Sequence, residues 1–252
     1  IIRNNIAGTE GENGYGGGVY GVNGLLRDNV ISENSATQRG GGLCFCNGGI
    51  VNNIIESNFS GRRGGGMSSC FGEIRGNIIR ENEADDHGGG MYYCDGKIEL
   101  NEISDNRTGT SGGGMACCEG TISQNYIHDN EAVEAGGGLW ECSGEIEKNH
   151  IHANIAQNAV GVSDCRGSLH KNVISMNITS KEFSSSKEEG LRYSHSGGGV
   201  GEFNGPIKFN FIFNNSSRYG GGVSLCDSTV ENNRISHNKS NSGGGIYNTT
   251  GP

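Results

Sequence analysis

Side chains that can act as acids, bases or cations cluster between residues 126 and 171 of this 252-residue chain. They are the residue types that an elimination reaction beside a uronate requires. A tyrosine, histidine or lysine can remove the proton, and a lysine ammonium can neutralise the neighbouring carboxylate. The candidate catalytic residues on this argument are Tyr126, Lys148, His150 and Lys171. No pair of carboxylates stands out that would favour glycoside hydrolysis instead.

Histidines in the same segment have the donors that a metal ion needs. His128, His150 and His152 carry the imidazole nitrogens that zinc accepts. On one extended strand, His150 and His152 would lie about 7 Å apart, which would strain the binding of a shared ion. We therefore expect no metal ion and no other cofactor, and these three histidines are the candidates if a metal is bound.

Three phenylalanines follow at alternate positions, Phe209, Phe211 and Phe213. Alternate residues of a strand share a face, and three neighbouring aromatic rings are unusual on a face exposed to water. Either the only large insertion, Ile178 to Ser196, packs over them, or they form a stacking platform for a sugar chain. Tyr193, which lies in that insertion, joins them as a candidate carbohydrate-binding residue.

A repeat of asparagines supplies the framework for these side chains. One column of asparagines recurs every 24 or 23 residues over most of its length, and its members are Asn5, Asn29, Asn53, Asn77, Asn101, Asn125, Asn149, Asn172, Asn210 and Asn233. In all units but the first, a second asparagine follows five residues later: Asn34, Asn58, Asn82, Asn106, Asn130, Asn154, Asn177, Asn215 and Asn238. Asparagines that point inward could hydrogen-bond to those above and below, which would satisfy their buried amides.

Apolar residues keep the same period in two further columns. One begins at Ile2 and ends at Val230, and the other begins at Ile31 and ends at Ile235. Short β-branched runs bounded by Asn and Gly indicate strand and turn rather than helix. A leucine-rich repeat, the competing solenoid of this period, would need several leucines per unit and usually a helical segment.

The sequence therefore predicts an all-β fold, namely a parallel β-helix or β-solenoid of about ten coils of 23–24 residues. Residues 1–252 would form a single domain, with residues 178–196 as a long insertion in one coil. At about 4.8 Å per coil, the rod would be roughly 45–50 Å long.

Glycine and cysteine complete the repeat. Three consecutive glycines recur in nine of the ten units, and because glycine suits positive φ or close backbone approach, the triplet predicts a sharp corner. The column four residues after the last glycine contains Cys46, Cys70, Cys94, Cys118, Cys142, Cys165 and Cys226. Val22 and Phe203 take the same place in other units, so we interpret this as a core column of free thiols. Stacked, parallel side chains suit neither disulfides nor metal binding.

The units "NIIRENEADDHGGGMYYC" and "NYIHDNEAVEAGGGLWEC" resemble the right-handed parallel β-helix repeats of bacterial surface proteins. The pattern is similar to the GGA-Φ and F-x-x-N repeats of polymorphic outer-membrane proteins, and the resemblance covers essentially the whole chain. This sequence departs from that pattern by having GGG for GGA and I-x-x-N for F-x-x-N, and it carries no autotransporter barrel. The resemblance implies an extracellular, right-handed rod.

Charge and hydropathy argue against two other classes. The formal net charge of −9 and the pI of ≈ 5.3 are unlike the basic footprint of a nucleic-acid-binding protein. No run of about 18 apolar residues occurs, which predicts no membrane span in this segment. Both ends fall in mid-repeat, so we interpret the chain as a segment of a longer protein.

These patterns favour a non-enzymatic, structural function. We expect a repeat segment of a secreted or cell-surface protein, such as a stalk, adhesin or filament building block. Its partners would be further copies associated end to end, other cell-surface components or a polysaccharide. The alternative is a carbohydrate-active β-helix, similar to a polysaccharide lyase, that uses the outward face from Tyr126 to Phe213. Chance clustering of variable outward residues would explain the same face without a ligand, and no outward column carries the regular threonines of an ice-binding array.

Overall fold

The computed structural model describes residues 1–9, 11–180 and 197–250. These residues form a parallel β-solenoid whose short strands lie in four sheets. Each strand pairs in parallel with the equivalent strand of a neighbouring coil, and each strand inside a sheet pairs on both sides, so the predicted fold class is confirmed. Within the described part of the chain, no helix is long and apolar enough to cross a lipid bilayer.

The first and second sheets are consecutive along each coil. The strands of the first sheet are Ile2–Arg3, Val30–Ser32, Ile54–Glu56, Ile78–Arg80, Glu102–Ser104, Tyr126–His128, His150–His152, Val173–Ser175, Phe211–Phe213 and Arg234–Ser236. The strands of the second sheet are Ile6–Ala7, Ser35–Ala36, Phe59–Ser60, Glu83–Ala84, Arg107–Thr108, Glu131–Ala132, Ile155–Ala156 and Ile178–Thr179.

The third and fourth sheets close the coil. The strands of the third sheet are Val19–Tyr20, Leu43–Cys44, Met67–Ser68, Met91–Tyr92, Met115–Ala116, Leu139–Trp140, Val162–Ser163, Val200–Gly201, Val223–Ser224 and Ile246–Tyr247. The strands of the fourth sheet are Leu26–Arg27, Ile50–Val51, Ile74–Arg75, Asp95–Glu99, Glu119–Ser123, Ser143–Glu147, Arg166–His170, Ile207–Lys208 and Val230–Glu231.

Stacked apolar side chains fill the space between the sheets. The first sheet contributes a column of isoleucines from Ile31 to Ile212, and the third sheet contributes leucine, methionine and valine. The predicted cysteine column is part of this core, because all seven members have no exposed surface and Phe203 takes the same place with 1% exposure. All nine cysteines of the chain are free thiols. Burial raises the pKa of Cys118 and Cys165, so these thiols are protonated core residues at neutral pH.

Two ladders of buried asparagines run along the solenoid, as the sequence predicted. In a typical rung, Asn77 Nδ2 donates to Asn101 Oδ1 at 3.0 Å and to the carbonyl of Ile50 at 2.8 Å. The backbone N–H of Asn77 donates to the same Asn101 oxygen at 2.9 Å. Each asparagine therefore satisfies its own amide and a backbone group of the neighbouring coil, which removes the cost of burying these polar groups.

Four positions of the repeat have left-handed backbone conformations, and they mark the corners. In one coil these residues are Asp28, Glu33, Gly40 and Phe45, with φ of 57°, 54°, 63° and 54°. A non-glycine residue in this conformation costs about 1–3 kcal/mol. At two corners an asparagine of a ladder follows directly, and its hydrogen bonds offset that cost.

The triple glycine forms the third corner, and different structural constraints require glycine at its three positions. In the coil of Gly40, the first glycine has positive φ. A Cβ on Gly41 would lie 2.4 Å from the carbonyl oxygen of Phe59, and one on Gly42 would lie 2.6 Å from that of Gly66. The first glycine is thus selected by conformation, and the other two by the close approach of backbone from the next coil.

The first coil has a different register from the one that the repeat predicts. Ile2 pairs with Ile31 of the first sheet, and Asn5 binds to Asn34 in the second ladder. The expected places of Ile2 and Asn5 are therefore wrong, because this coil has extra residues between Ala7 and the third sheet. The predicted start of the insertion is also too early, since Ile178–Thr179 pairs in parallel with the preceding coil; residues 181–196 lie outside the described residues.

Candidate functional site

Four predicted site residues lie side by side on the outer surface of the first sheet. Strands Tyr126–His128 and His150–His152 are neighbours in register, so Tyr126 lies opposite His150 and His128 opposite His152. The Tyr126 ring centroid is 4.0 Å from that of His128 and 5.1 Å from that of His150. The rings of His150 and His152 are 5.4 Å apart. We call these four residues the aromatic patch.

Hydrogen bonds fix the two edges of the aromatic patch. His128 Nδ1 lies 2.7 Å from Asp129 Oδ2, and its Nε2 lies 3.6 Å from Glu102 Oε1. That Nε2 atom is buried and has no hydrogen-bond partner. His152 Nδ1 lies 3.2 Å from the hydroxyl of Ser175. The patch is therefore ordered by its own neighbours, and one imidazole nitrogen is left without a partner.

His150 is the member of the patch best suited to accept a proton. Burial lowers its pKa from the ordinary value, and the nearby imidazoles of His152 and His128 lower it further. It is neutral at neutral pH, as a general base must be before it acts. Tyr126, which stacks against it, is 40% exposed, so a ligand can reach the phenol from solvent.

The three histidines that could bind a metal do not place their donors around one point. The Tyr126 ring lies against both His128 and His150. Among the described residues, the cluster whose possible ligand atoms all lie within 4.8 Å of one another is a different one, Glu145, Glu147 and His170 of the fourth sheet. This cluster contains His170, which the sequence analysis did not select.

Lys148 and Lys171 lie apart from the aromatic patch. Both are left-handed corner residues, with φ of 54° and 57°, and neither is part of a first-sheet strand. Lys148 Nζ lies 3.0 Å from Glu147 Oε1. Lys148, His170 and Lys171 together lower the pKa of Glu147, Lys148 most strongly, so the field of both lysines acts on the fourth sheet. Their placement on the strand face was wrong, because both lie at the corner that precedes the strand, and the ammonium of Lys148 contacts Glu147.

The phenylalanines separate in the same way. Phe209 is a corner residue with φ of 57°, whereas Phe211 and Phe213 are on the first-sheet strand and line a groove of about 270 Å³. Among the described residues, Arg234, Ser236 and His237 complete its lining. Phe209 and Phe211 are 51% and 49% exposed, so their rings are available for stacking. Tyr193 lies outside the described residues.

The structure also contains a cluster of cationic and aromatic side chains that the sequence analysis missed. Trp140, the only tryptophan, stacks on His87 with centroids 4.7 Å apart and an interplanar angle of 17°. Arg63 lies over the Tyr92 ring at 5.1 Å and donates to its hydroxyl at 3.0 Å. Together they cover Ala116, which has no exposed surface. The sequence does contain a signal for this cluster. Arg63 and His87 directly precede the glycine triplets of their coils, and Tyr92 and Trp140 lie two residues after the triplets of theirs.

Comparisons with known proteins complete the description of the chain. No protein-family model, curated protein or solved structure matches it.

Proposed function

We propose that this chain is a structural segment of a secreted or cell-surface protein, in which the solenoid acts as a stiff spacer. The observation that carries the proposal is the continuity of the two asparagine ladders. The second ladder runs from Asn5 to Asn238. It continues past the inserted residues, where Asn177 Nδ2 donates to Asn215 Oδ1 at 2.9 Å. The chain thus keeps its axial hydrogen bonds between the two coils that flank the insertion in sequence.

The energetics of such a solenoid suit a mechanical function. Along most of the solenoid, adjacent coils are joined by parallel strands in four sheets and by two asparagine rungs, so the stability of the solenoid is the sum of coil terms and nearest-neighbour terms. Coils can be added or removed in evolution without a change in their neighbours. The number of coils therefore sets the length of the rod, at about 4.8 Å per coil.

Deletion of single coils tests the spacer function. Removal of residues 78–101 joins Asn77 to Glu102, and removal of residues 126–149 joins Asn125 to His150, so both deletions keep the repeat in register. A spacer should tolerate the two deletions equally, and each should shorten the rod by about 4.8 Å in small-angle scattering. The second deletion also removes half of the aromatic patch, so a loss of function confined to it would contradict a purely structural role.

Two further measurements bear on the location and the chemistry. An antibody against the solenoid should label intact cells that produce the protein, and labelling only after lysis would contradict a surface location.

Incubation with a panel of uronic-acid polysaccharides should release no unsaturated product absorbing near ~235 nm, the product of the elimination reaction. Such release, if abolished by His150→Ala, would establish the lyase function instead.

A second candidate function is polysaccharide binding along the first sheet. The groove beside Phe211 and Phe213 favours it, because exposed aromatic rings next to a guanidinium, here that of Arg234, suit an acidic sugar chain. Titration calorimetry with oligouronides should show binding that Phe211→Ala removes. Phe59→Ala, which truncates an exposed phenylalanine on the second sheet, is the matched control and should leave binding unchanged.

A further inference from the structure

Three side chains of two adjacent coils converge on the outer surface of the fourth sheet. Strands Ser143–Glu147 and Arg166–His170 pair in parallel, with Glu147 opposite His170. Glu145 lies two residues before Glu147, so it shares the same face. His170 Nε2 lies 3.0 Å from Glu145 Oε1, and its Nδ1 lies 3.9 Å from Glu147 Oε2.

We propose that Glu145, Glu147 and His170 form a binding site for a divalent transition-metal ion of the zinc class. The possible ligand atoms all lie within 4.8 Å of one another. Glu145 and Glu147 face different nitrogens of His170, and only one nitrogen can be the ligand, so the imidazole ring must rotate until that nitrogen faces both carboxylates. Zinc bonds of about 2.0–2.2 Å then place the ligands of a tetrahedral ion about 3.3–3.6 Å apart. A combination of imidazole and carboxylate selects zinc-like ions over calcium or magnesium, which prefer oxygen ligands alone.

The exposure of the three side chains is suited to an ion that also binds a water molecule. The side chains of Glu147 and His170 are 17% and 19% exposed, whereas that of Glu145 is 52% exposed. Two ligands are therefore largely shielded from solvent, and the third faces water. One coordination position can be taken by a water molecule, as in other zinc sites with three protein ligands.

Neighbouring cations set how strongly the site binds. Lys148 Nζ contacts Glu147 Oε1 at 3.0 Å, while the other oxygen of Glu147 faces His170. The positive charge of Lys171 also acts on Glu147. Lys208 lies opposite His170 on the next strand, but it pairs with Glu231 at 2.9 Å. Lys148 is thus the direct competitor of a metal ion, and its removal should strengthen binding.

The position of the site gives the ion a mechanical consequence. Its ligands come from two coils, and the second of these, which contributes His170, also contains strand Ile178–Thr179, which comes shortly before the insertion in the sequence. The unfolded chain does not bring these side chains together, so an ion that binds the folded chain stabilises it. The site would act as a clip between the two coils next to the insertion.

Zinc titration of the full chain by calorimetry tests the proposal. We expect one zinc ion per chain, at least about tenfold weaker binding in His170→Ala, and tighter binding in Lys148→Gln. His150→Ala removes a histidine of the aromatic patch and should leave the affinity unchanged. Zinc should raise the melting temperature of the wild type and should not raise that of His170→Ala.

Two results would overturn the assignment. One is His170→Ala that retains wild-type affinity; the other is loss of binding in His150→Ala, which would move the site to the first sheet. Should His170→Ala fail to fold, Glu145→Gln alters the most exposed ligand and keeps its shape. Binding must then weaken by about tenfold, and unchanged affinity in this variant refutes the proposal.

Discussion

Replacement of Asn106 by alanine probes the ladder at a fully buried point. Asn106 has no exposed surface. Its Nδ2 donates to the carbonyl of Ile79 at 2.9 Å and to Asn130 Oδ1 at 3.0 Å. Its Oδ1 accepts from the backbone N–H of Asn82 at 3.1 Å and from Asn82 Nδ2 at 3.0 Å. Truncation to alanine therefore removes four hydrogen bonds that join three coils.

The cost follows from the groups that are left unsatisfied. After the change, the N–H of Asn82 is buried without its partner, while Asn130 Oδ1 still accepts from the backbone N–H of residue 106 at 3.1 Å. An orphaned buried group costs about 1–3 kcal/mol, so Asn106→Ala should lower the free energy of unfolding by about 1–3 kcal/mol. The first rung of the other ladder, Asn29, is partly exposed, and water can replace its partners. Asn29→Ala should cost less than about 1 kcal/mol.

Urea unfolding measured by circular dichroism and by Trp140 fluorescence gives the comparison. Trp140 is the only tryptophan and packs over coils close to residue 106, so its emission reports the affected region. Amide hydrogen exchange should show faster exchange at Asn82 in Asn106→Ala. A loss below about 0.5 kcal/mol, the range of ordinary surface substitutions, or equal losses for both variants, would refute the reasoning on the ladders.

Three further predictions concern a corner, an acidic pair and a thiol. Gly89→Ala should destabilise the protein by about 1–3 kcal/mol or more in the same assay, because its Cβ would lie 2.5 Å from a carbonyl oxygen of the next coil. Gly24→Ala, which meets open space, should be neutral or slightly stabilising, and equal effects would contradict the close-approach argument. Burial, with the neighbouring Asp164, raises the pKa of Glu202 to about 7 from 4.5. A raised carboxyl pKa favours the folded state at low pH, so this contribution, about 1–2 kcal/mol after solvent screening, should be lost as the pH rises from 4.5 to 7. Melting temperatures of Glu202→Gln should lack that decline, and a decline as steep as in the wild type would exclude the pair as its cause. Cys117 is the only partly exposed thiol of the nine, and burial raises its pKa to about 12. Ellman's reagent should therefore modify one thiol, slowly, and Cys117→Ser should abolish the reaction; rapid modification of several thiols would contradict a closed core.

The fold could be predicted in detail where the repeat is regular. Asn77 and Asn101 are 24 residues apart and meet as predicted, because a coil of constant length places equivalent residues one strand spacing apart. The prediction was wrong for Ile2 and Asn5 because the first coil is longer between the second and third sheets. A sequence column alone does not show which stretch of a coil has absorbed the extra residues.

The candidate site was predictable only in part. Tyr126 and His150 meet because alternation and coil stacking determine their positions. Lys148 does not join them, because the left-handed corner that contains it directs its ammonium to Glu147. The repeat places His170 opposite Glu147, but whether their side chains meet depends on rotamers that the repeat does not determine.

The sequence by itself determined the parallel solenoid, its apolar and cysteine columns, its asparagine ladders and its glycine corner. These features follow from small or rigid side chains that repeat at a constant interval, so backbone stacking alone decides their neighbours. The tertiary structure decided which long side chains meet. Trp140 reaches back over Ala116 to His87, and Glu145 meets His170. Long side chains have several rotamers, and the charge of nearby groups and the available space determine which neighbour they contact. Their contacts therefore depend on the corner geometry and on the size of the residues between them.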